Sequence, residues 1–384
     1  MSGHTSGSSF SGRIHAATLR QFALAACLLV VTPVSVALAA DKAPEPSLAV
    51  AIDTKSEPVR WNPENRNDLV AGELEYAGGI VIASSSKDFG GWSSIAVSAD
   101  GATLLSVSDE AQWLSAQLLY DEKGRLSGIA DAHMAPLLNL KGKPIKDKTS
   151  GDAEGLAVTG TDPLKGLAYV SFERQHRIWR YDLDADGFNA VPTQIVTERQ
   201  LGQLPSNGGI EAVTALSPLT GDSQQRLLAL SEEGRAASGN RKAFLIEGRK
   251  AERLTIKLDK PYNPTDIARL PDGDFLVLER SYSLLAGPGM CIRLVRASEV
   301  KAGSVIEGRV LMQANNTRTI DNMEGLAVRA GEKGDVFVYV MSDDNFSDLQ
   351  HTYLVMFRIK AASLSPTAPP EGVLTLPHSQ TKAE

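Results

Sequence analysis

The sequence predicts an all-β fold, a six-bladed β-propeller, and three observations carry that reading. Short apolar runs alternate with glycine-bearing turns at Ala99-Asp100-Gly101, Asp186-Gly187, Pro271-Asp272-Gly273 and Glu332-Lys333-Gly334, the punctuation of strands joined by tight turns. No stretch carries the apolar period of a long amphipathic helix. One acidic phrase also recurs: GDAEGLAV at 151–158 and DNMEGLAV at 321–328, with looser copies in GGIEAVTAL, PTDIARL and WSSIAVSADG. Its marker residues, Ser94, Glu154, Glu211, Asp266 and Glu324, are 60, 57, 55 and 58 residues apart, a near-constant period of the kind radial sheet repeats produce. Five repeats are visible. A sixth blade is expected from an N-terminal strand near residues 74–83 and a C-terminal one near 353–359, whose pairing would remove free sheet edges. A sandwich of two large sheets is the alternative, and it leaves the period unexplained.

Taken in chain order, the first 39 of the 384 residues read as an export signal. Arg13, His15 and Arg20 precede an apolar run at 22–36, and Ala37-Leu38-Ala39 supplies a small-residue cleavage site. The run is shorter than the roughly 20 residues a membrane anchor needs and Pro33 interrupts it; no twin-arginine pair precedes it. Leu24-Ala25-Ala26-Cys27 resembles a lipoprotein box, but the apolar run continues past it. Residues 40–68 are expected to be a flexible lead-in, 69–361 the propeller, and 362–384 a loose tail with several prolines. Cleavage would leave Cys291 as the one cysteine, so no intrachain disulfide could support the fold in an oxidising compartment. It would also remove two of the 39 basic residues and none of the 46 acidic ones, leaving 37 minus 46, or −9. That balance argues against nucleic acid and anionic membrane as partners.

A second polar cluster follows the next apolar run of each unit: Asp109-Glu110, Glu173-Arg174, Glu232-Glu233, Glu279-Arg280 and Asp343-Asp344. If the repeated acid opens one strand and the next strand runs back antiparallel, both clusters lie at the same end of the unit. Radial repetition then gathers Glu154, Glu173, Glu211, Glu232, Asp266, Glu279, Glu324 and Asp343 at one channel mouth, with Arg174 and Arg280 among them. Crowded carboxylates repel and must be neutralised by protons, arginines or a cation. Oxygen-only ligands suit Ca²⁺ or Mg²⁺ better than Zn²⁺. The same acids also suit a structural role, accepting N–H bonds from the adjoining unit.

Other chemistry is sparse. The sequence has no Gly-x-Ser-x-Gly elbow, no His-Glu-x-x-His and no phosphate-binding Walker loop. His176 and His351 lie near acidic clusters as candidate proton shuttles or as ordinary core and surface residues. Lys141, Lys143, Lys146 and Lys148 precede Asp152 and could attract phosphate or form a solvated loop. The apolar stretch SYSLLAGPGM, at 281–290, reads as a lid over the mouth or as a packed hairpin.

Over residues 72–359 the chain resembles the bacterial phytase-like family, the "esterase-like activity of phytase" domain. The resemblance rests on GDAEGLAV, YVSFERQHRIWRY, NGGIEAVTAL, PTDIARLPDGDFLVLER and NMEGLAV followed by VMSDDNFSDLQHTYLVMFRI. It implies an exported hydrolase with repeated acidic residues, matched here by Glu154, Glu173, Arg174, Glu211, Asp266, Glu279, Arg280, Glu324, Asp343, Asp344 and Asn345. The expected function is hydrolysis of phosphoesters or carboxylic esters by a monomeric periplasmic or secreted protein, assisted by a divalent cation, with calcium the first candidate. Glu154, Glu211, Asp266 and Glu324 are the expected metal ligands, Glu173 or Asp343 the base, and Arg174 and Arg280 the anion clamp. Glu232, Glu279, Asp344 and Asn345 complete the rim. A propeller that binds a ligand or partner without catalysis is the alternative.

Overall fold

Five sheets of four principal strands surround a central axis in the computed structural model, which describes residues 47–216 and 225–365. Blade 1 runs outward through Trp92–Val97, Thr103–Ser108, Gln112–Tyr120 and Leu126–Pro136. Blade 2 is Ala153–Val158, Leu167–Phe172, Arg177–Asp182 and Thr193–Thr197. Blade 3 is Ile210–Ala215, Arg226–Arg235, Arg241–Glu247 and Lys250–Ile256, extended by the short parallel strand Val305–Ile306. Blade 4 is Asn263–Arg269, Phe275–Ser283, Gly287–Val295 and Arg309–Asn315. Blade 5 is Asn322–Ala330, Val336–Asp343, Thr352–Ile359 and, from the other end of the chain, Leu74–Ser84.

The all-β propeller expectation holds in its architecture, but the described residues form five blades rather than six. The N-terminal and C-terminal strands do pair, from Thr352 opposite Ile82 to Ile359 opposite Leu74. They complete the blade begun by Asn322–Ala330 instead of building another, so the visible repeats already account for the ring. The inner strand of blade 5 lies directly against that of blade 1. A single bridge, Gly78 to Leu126, joins the outer strands of these two blades into one extended sheet.

Five apolar clusters, one between each pair of neighbouring blades, hold the ring together. Leu105 and Val107 face Leu156 and Val170 between blades 1 and 2, while Leu104 faces the other way towards Tyr339 and Met341 of blade 5. Both faces of the middle strands are thus buried, which is why TLLSVS and LAYVSF read as nearly continuous apolar runs rather than alternating ones. The lead-in is more structured than its composition suggests. Thr54–Pro58 pairs with Leu74–Ser84, and Trp61 is buried against Tyr76 and Phe357. Residues 1–39, expected to be an export signal, with Cys27, lead-in residues 40–46 and tail residues 366–384 lie outside the described residues. Cys291 is buried.

Each inner strand carries one extra residue in its pairing with the second strand. The register slips between Trp92 and Ser94, Ile210 and Ala212, Pro264 and Asp266, and Met323 and Gly325, and opposite Ser171 in blade 2. The bulged residues are therefore Ser93, Glu154, Glu211, Thr265 and Glu324. Asp266 and Ser94, aligned with the acids on sequence, stand one step deeper, at the level of Gly155, Ala212 and Gly325. There Asp266 links blades. It accepts hydrogen bonds from Ser94 Oγ at 2.8 Å, Leu326 N at 2.7 Å and Ile267 N at 2.8 Å, and Ser94 Oγ accepts one from Leu156 N at 3.1 Å.

Because these donors are buried, removing their acceptor leaves them unsatisfied, at roughly 1–3 kcal/mol each. Asp266→Ala is expected to lower stability by about 2–4 kcal/mol in a denaturant titration, with Asp266→Asn milder because an acceptor remains. An unchanged midpoint for Asp266→Ala would contradict this role.

Candidate functional site

The bulge aims one side chain per inner strand at the axis, as bulges commonly do. A residue in or just after each second strand meets it at the same level. In blades 1 to 5 these second residues are Asp109, Glu173, Glu232, Arg280 and Asp343. Backbone bonds fix the level: Asp109 N to Gly91 O at 2.9 Å, Glu173 N to Asp152 O at 2.8 Å and Glu232 N to Gly209 O at 3.0 Å. Together with the bulge residues Ser93, Glu154, Glu211 and Glu324 they line a cavity of about 960 Å³, whereas the bulge residue Thr265 is buried and donates to Met323 O. Among the described residues nine carboxylates reach the cavity: Asp109, Asp152, Glu154, Glu173, Glu211, Glu232, Asp321, Glu324 and Asp343. Three cations do so: Lys148, Arg174 and Arg280.

All three cations are already engaged. Arg280 donates to Glu232 Oε1 at 3.0 Å and to Asn322 Oδ1 at 2.9 Å, and its Nε lies 3.0 Å from Glu324 Oε1. Arg174 Nε donates to Asp152 Oδ2 at 2.6 Å. Lys148 Nζ lies 2.8 Å from Asp152 Oδ1 and also donates to Asp109. Among the described residues, none of the ion pairs involves Glu154, Glu173, Glu211 or Asp343. Glu173 accepts from Gly209 N, and its charge is one of those crowding Glu211.

The electrostatic consequence is a set of groups that hold protons unusually tightly. Burial, then the charges of Glu173 and Asp152, pushes Glu154 well above the ordinary carboxylate range. Burial, then Glu154 and Glu232, does the same to Glu211. Burial raises Glu324 to about 8 against the pull of Arg280, and raises Asp343 to about 7 against a hydrogen bond from Asn345 N. One oxygen from each of Asp152, Glu154 and Glu173 lies within 4.8 Å of the others, a spacing that a metal ion could bridge.

The site thus gathers Glu154, Glu173, Arg174, Glu211, Glu232, Arg280, Glu324, Asp343 and Asn345 of the expected set. It does not include Asp266, Glu279 or Asp344. Asp266 lies below the mouth with its oxygens taken by the donors described above. Glu279 stands opposite Pro264, one position before Arg280, and is turned into its blade, where Arg293 pairs with it at 2.5 Å. Asp344 clamps the loop between blades 5 and 1, accepting from Phe346 N at 3.0 Å, Thr352 Oγ1 at 2.9 Å and Gly91 N at 3.3 Å.

Asp152, Lys148, Asp321 and Asn322 were not in the expected site set. Aligning the repeats on their apolar pairs, such as Leu156-Ala157, Ile95-Ala96 and Ile267-Ala268, rather than on their acids corrects blades 1 and 4. His176 is buried beside Gly209 with Nδ1 unpartnered, and His351 stacks on Tyr353 at 5.5 Å between ring centroids; neither lines the cavity. Of the four lysines before Asp152, only Lys148 does.

A β-propeller whose axis opens into a carboxylate-lined mouth is the class that fold and site define. Over residues 87–346 the sequence matches the Phytase-like family, described as esterase-like activity of phytase, and the chain belongs to that family. No curated protein matches it. Among solved structures it is similar to U3-55K, at 10% identity over 70% of this chain and 95% of that one, with a TM-score of 0.32. It is also similar to the β-propeller domain of Cps50 (Swd1) from Myceliophteria thermophila, at 11% identity over 67% of each chain and a TM-score of 0.31.

The raised carboxyls fix a pH dependence. In the unfolded chain such groups ionise near 4, whereas Asp343 and Glu324 in the fold do so near 7 and 8. The folded state therefore binds more protons between these limits. Their stabilising contribution is complete below about pH 4 and is lost as pH rises through 7 to 8. In metal-free buffer the melting temperature should fall from pH 5 to pH 8, and Glu324→Gln should flatten that slope. A melting temperature that rises over this range would contradict the assignment.

Proposed function

We propose that this protein is an exported hydrolase of ester bonds, working with a divalent cation at the acidic mouth. The observation that carries the reading is the group Asp152, Glu154 and Glu173, three carboxylates close enough to share one ion, of which Asp152 already pairs with Lys148 and Arg174 while Glu154 and Glu173 have no cationic partner among the described residues. Family membership supports a hydrolase-like activity. An all-oxygen donor set fits calcium or magnesium, and a bound ion of that kind would polarise a carbonyl or phosphoryl oxygen. Those three residues would hold it, a set that keeps only Glu154 of the ligands expected from sequence.

The remaining residues then take distinct parts. Asp343, titrating near 7, is suited to accept the proton of the attacking water. The water oxygen bonds to the ester carbon or phosphorus as the bond to the leaving alkoxide breaks. Glu211, held protonated by burial and its neighbours, is suited to return a proton to that alkoxide. Arg280 keeps Glu232 and Glu324 in place, so it acts as a positioning residue more readily than as an anion clamp. Arg174, at 40% side-chain exposure, is the better placed of the two to reach a substrate. The apolar run at 22–36 followed by Ala37-Leu38-Ala39 supports export, and no helix among the described residues is long and apolar enough to cross a membrane. We take the working form to be a monomer acting on a small ester.

A second reading, a ligand-binding propeller without turnover, is favoured by the engagement of every lining cation with an internal acid. The two are separated by hydrolysis of 4-nitrophenyl acetate and 4-nitrophenyl phosphate with and without 1 mM Ca²⁺, on the order of typical extracellular calcium-site affinities. The hydrolase reading expects calcium-stimulated release of nitrophenol, and a kcat reduced about 10²–10⁴-fold in Asp343→Asn. No turnover of either ester would leave the binding reading in possession.

A further inference from the structure

We infer that the mouth carries an apolar subsite, built by the 281–290 hairpin and the loop facing it, which takes the acyl or alkyl group of an apolar ester. This rests on the ester-hydrolase reading and adds the substrate's chemical class.

The hairpin is an unusual surface feature. Its strands stay paired to the tip, with Ser281 opposite Gly289, Tyr282 opposite Pro288 and Ser283 opposite Gly287. No charged residue occurs from 281 to 292. Tyr282 is 70% exposed, Leu284 90% and Leu285 99%, and on the loop of blade 5 Leu349 is 89% exposed. Leucines this exposed contribute nothing to the core, and contiguous exposed apolar groups mark binding surfaces more often than isolated ones do.

Position gives the patch its meaning. Tyr282, Pro288, Ile320 and Leu349 line the same cavity whose floor is the carboxylate ring. The apolar surface is therefore continuous with the site, on its blade 4 and blade 5 side, and an occupant of the floor would extend onto it. A polar or ionic substrate has nothing to gain there, whereas an alkyl or aryl group would be removed from water at about fourfold in affinity per fully buried methylene.

The cations of the lining argue for the same class. Lys148, Arg174 and Arg280 are each paired with an internal acid, so a substrate dense in phosphates would find no unengaged arginine or lysine among the described lining residues.

Two uncharged amides that differ only in acyl length, acetanilide and hexananilide, probe the subsite without requiring catalysis. Calorimetric titration into the full chain should show hexananilide binding about tenfold more tightly, since an open collar covers the extra four methylenes only in part. In Tyr282→Ser/Leu349→Ser, whose changes touch only exposed side chains of the cavity lining, the preference should fall to within about twofold. Equal binding of the two amides by the wild-type chain, or a tenfold preference that survives in the double variant, would overturn the inference. Hydrolysis of 4-nitrophenyl acetate and hexanoate, measured in parallel, separates the two claims. A length preference in binding without turnover keeps the subsite and removes the hydrolase. Turnover without a length preference in either assay keeps the hydrolase and removes the subsite.

Discussion

One extra residue in each inner strand is the constraint on which the rest of this molecule depends. Without it, the period-2 alternation of a strand would send the residue after Ile210 or Met323 along the blade face, into the apolar clusters between sheets. The bulge turns that residue to the axis instead, and five-fold repetition brings Ser93, Glu154, Glu211, Thr265 and Glu324 to one level. Asp109, Glu173, Glu232, Arg280 and Asp343, in or just after the second strands, arrive at the same height. A local backbone irregularity thus becomes a concentrated patch of charge, and the apolar clusters between blades supply the rigidity that keeps it concentrated.

That concentration is only partly balanced within the protein. Lys148, Arg174 and Arg280 satisfy Asp109, Asp152, Glu232 and Glu324, and they leave Glu154, Glu173, Glu211 and Asp343 with no cationic partner among the described residues. Two responses are open to such groups: to hold protons above their usual range, or to take up a cation. The first is visible in the upward displacement of Glu154, Glu211 and Asp343. The second is the premise of the proposed chemistry, and competition between the two links activity, stability and pH. Asp266, below the mouth, has hydroxyl and N–H donors around it in place of a cation, and burial still pushes it well above the usual carboxylate range.

Much of this was legible in the sequence because it is written locally. Acid-glycine-apolar phrases, turn dipeptides and apolar runs mark strands and their repetition without reference to the partner strand. The number of blades was not local: whether residues 74–84 and 352–359 found a sixth blade or finish the fifth is decided by their pairing with Val336–Asp343. The direction of individual acids was not local either. Glu279 and Arg280 are adjacent in sequence, and the register of blade 4 alone decides that the arginine meets the mouth while the glutamate turns to Arg293. Asp152 escaped notice because it precedes its strand and joins the site through Lys148 and Arg174, contacts that no repeat pattern encodes.

The most direct test of the account is a calorimetric titration of Ca²⁺ into metal-free protein at pH 7, in buffers of differing ionisation enthalpy, beside Glu154→Gln. The account predicts saturable binding that releases protons, because the ion displaces them from carboxyls held above their usual range, and a large loss of affinity in the variant. Absence of binding at millimolar Ca²⁺, or binding that Glu154→Gln leaves intact, would contradict it.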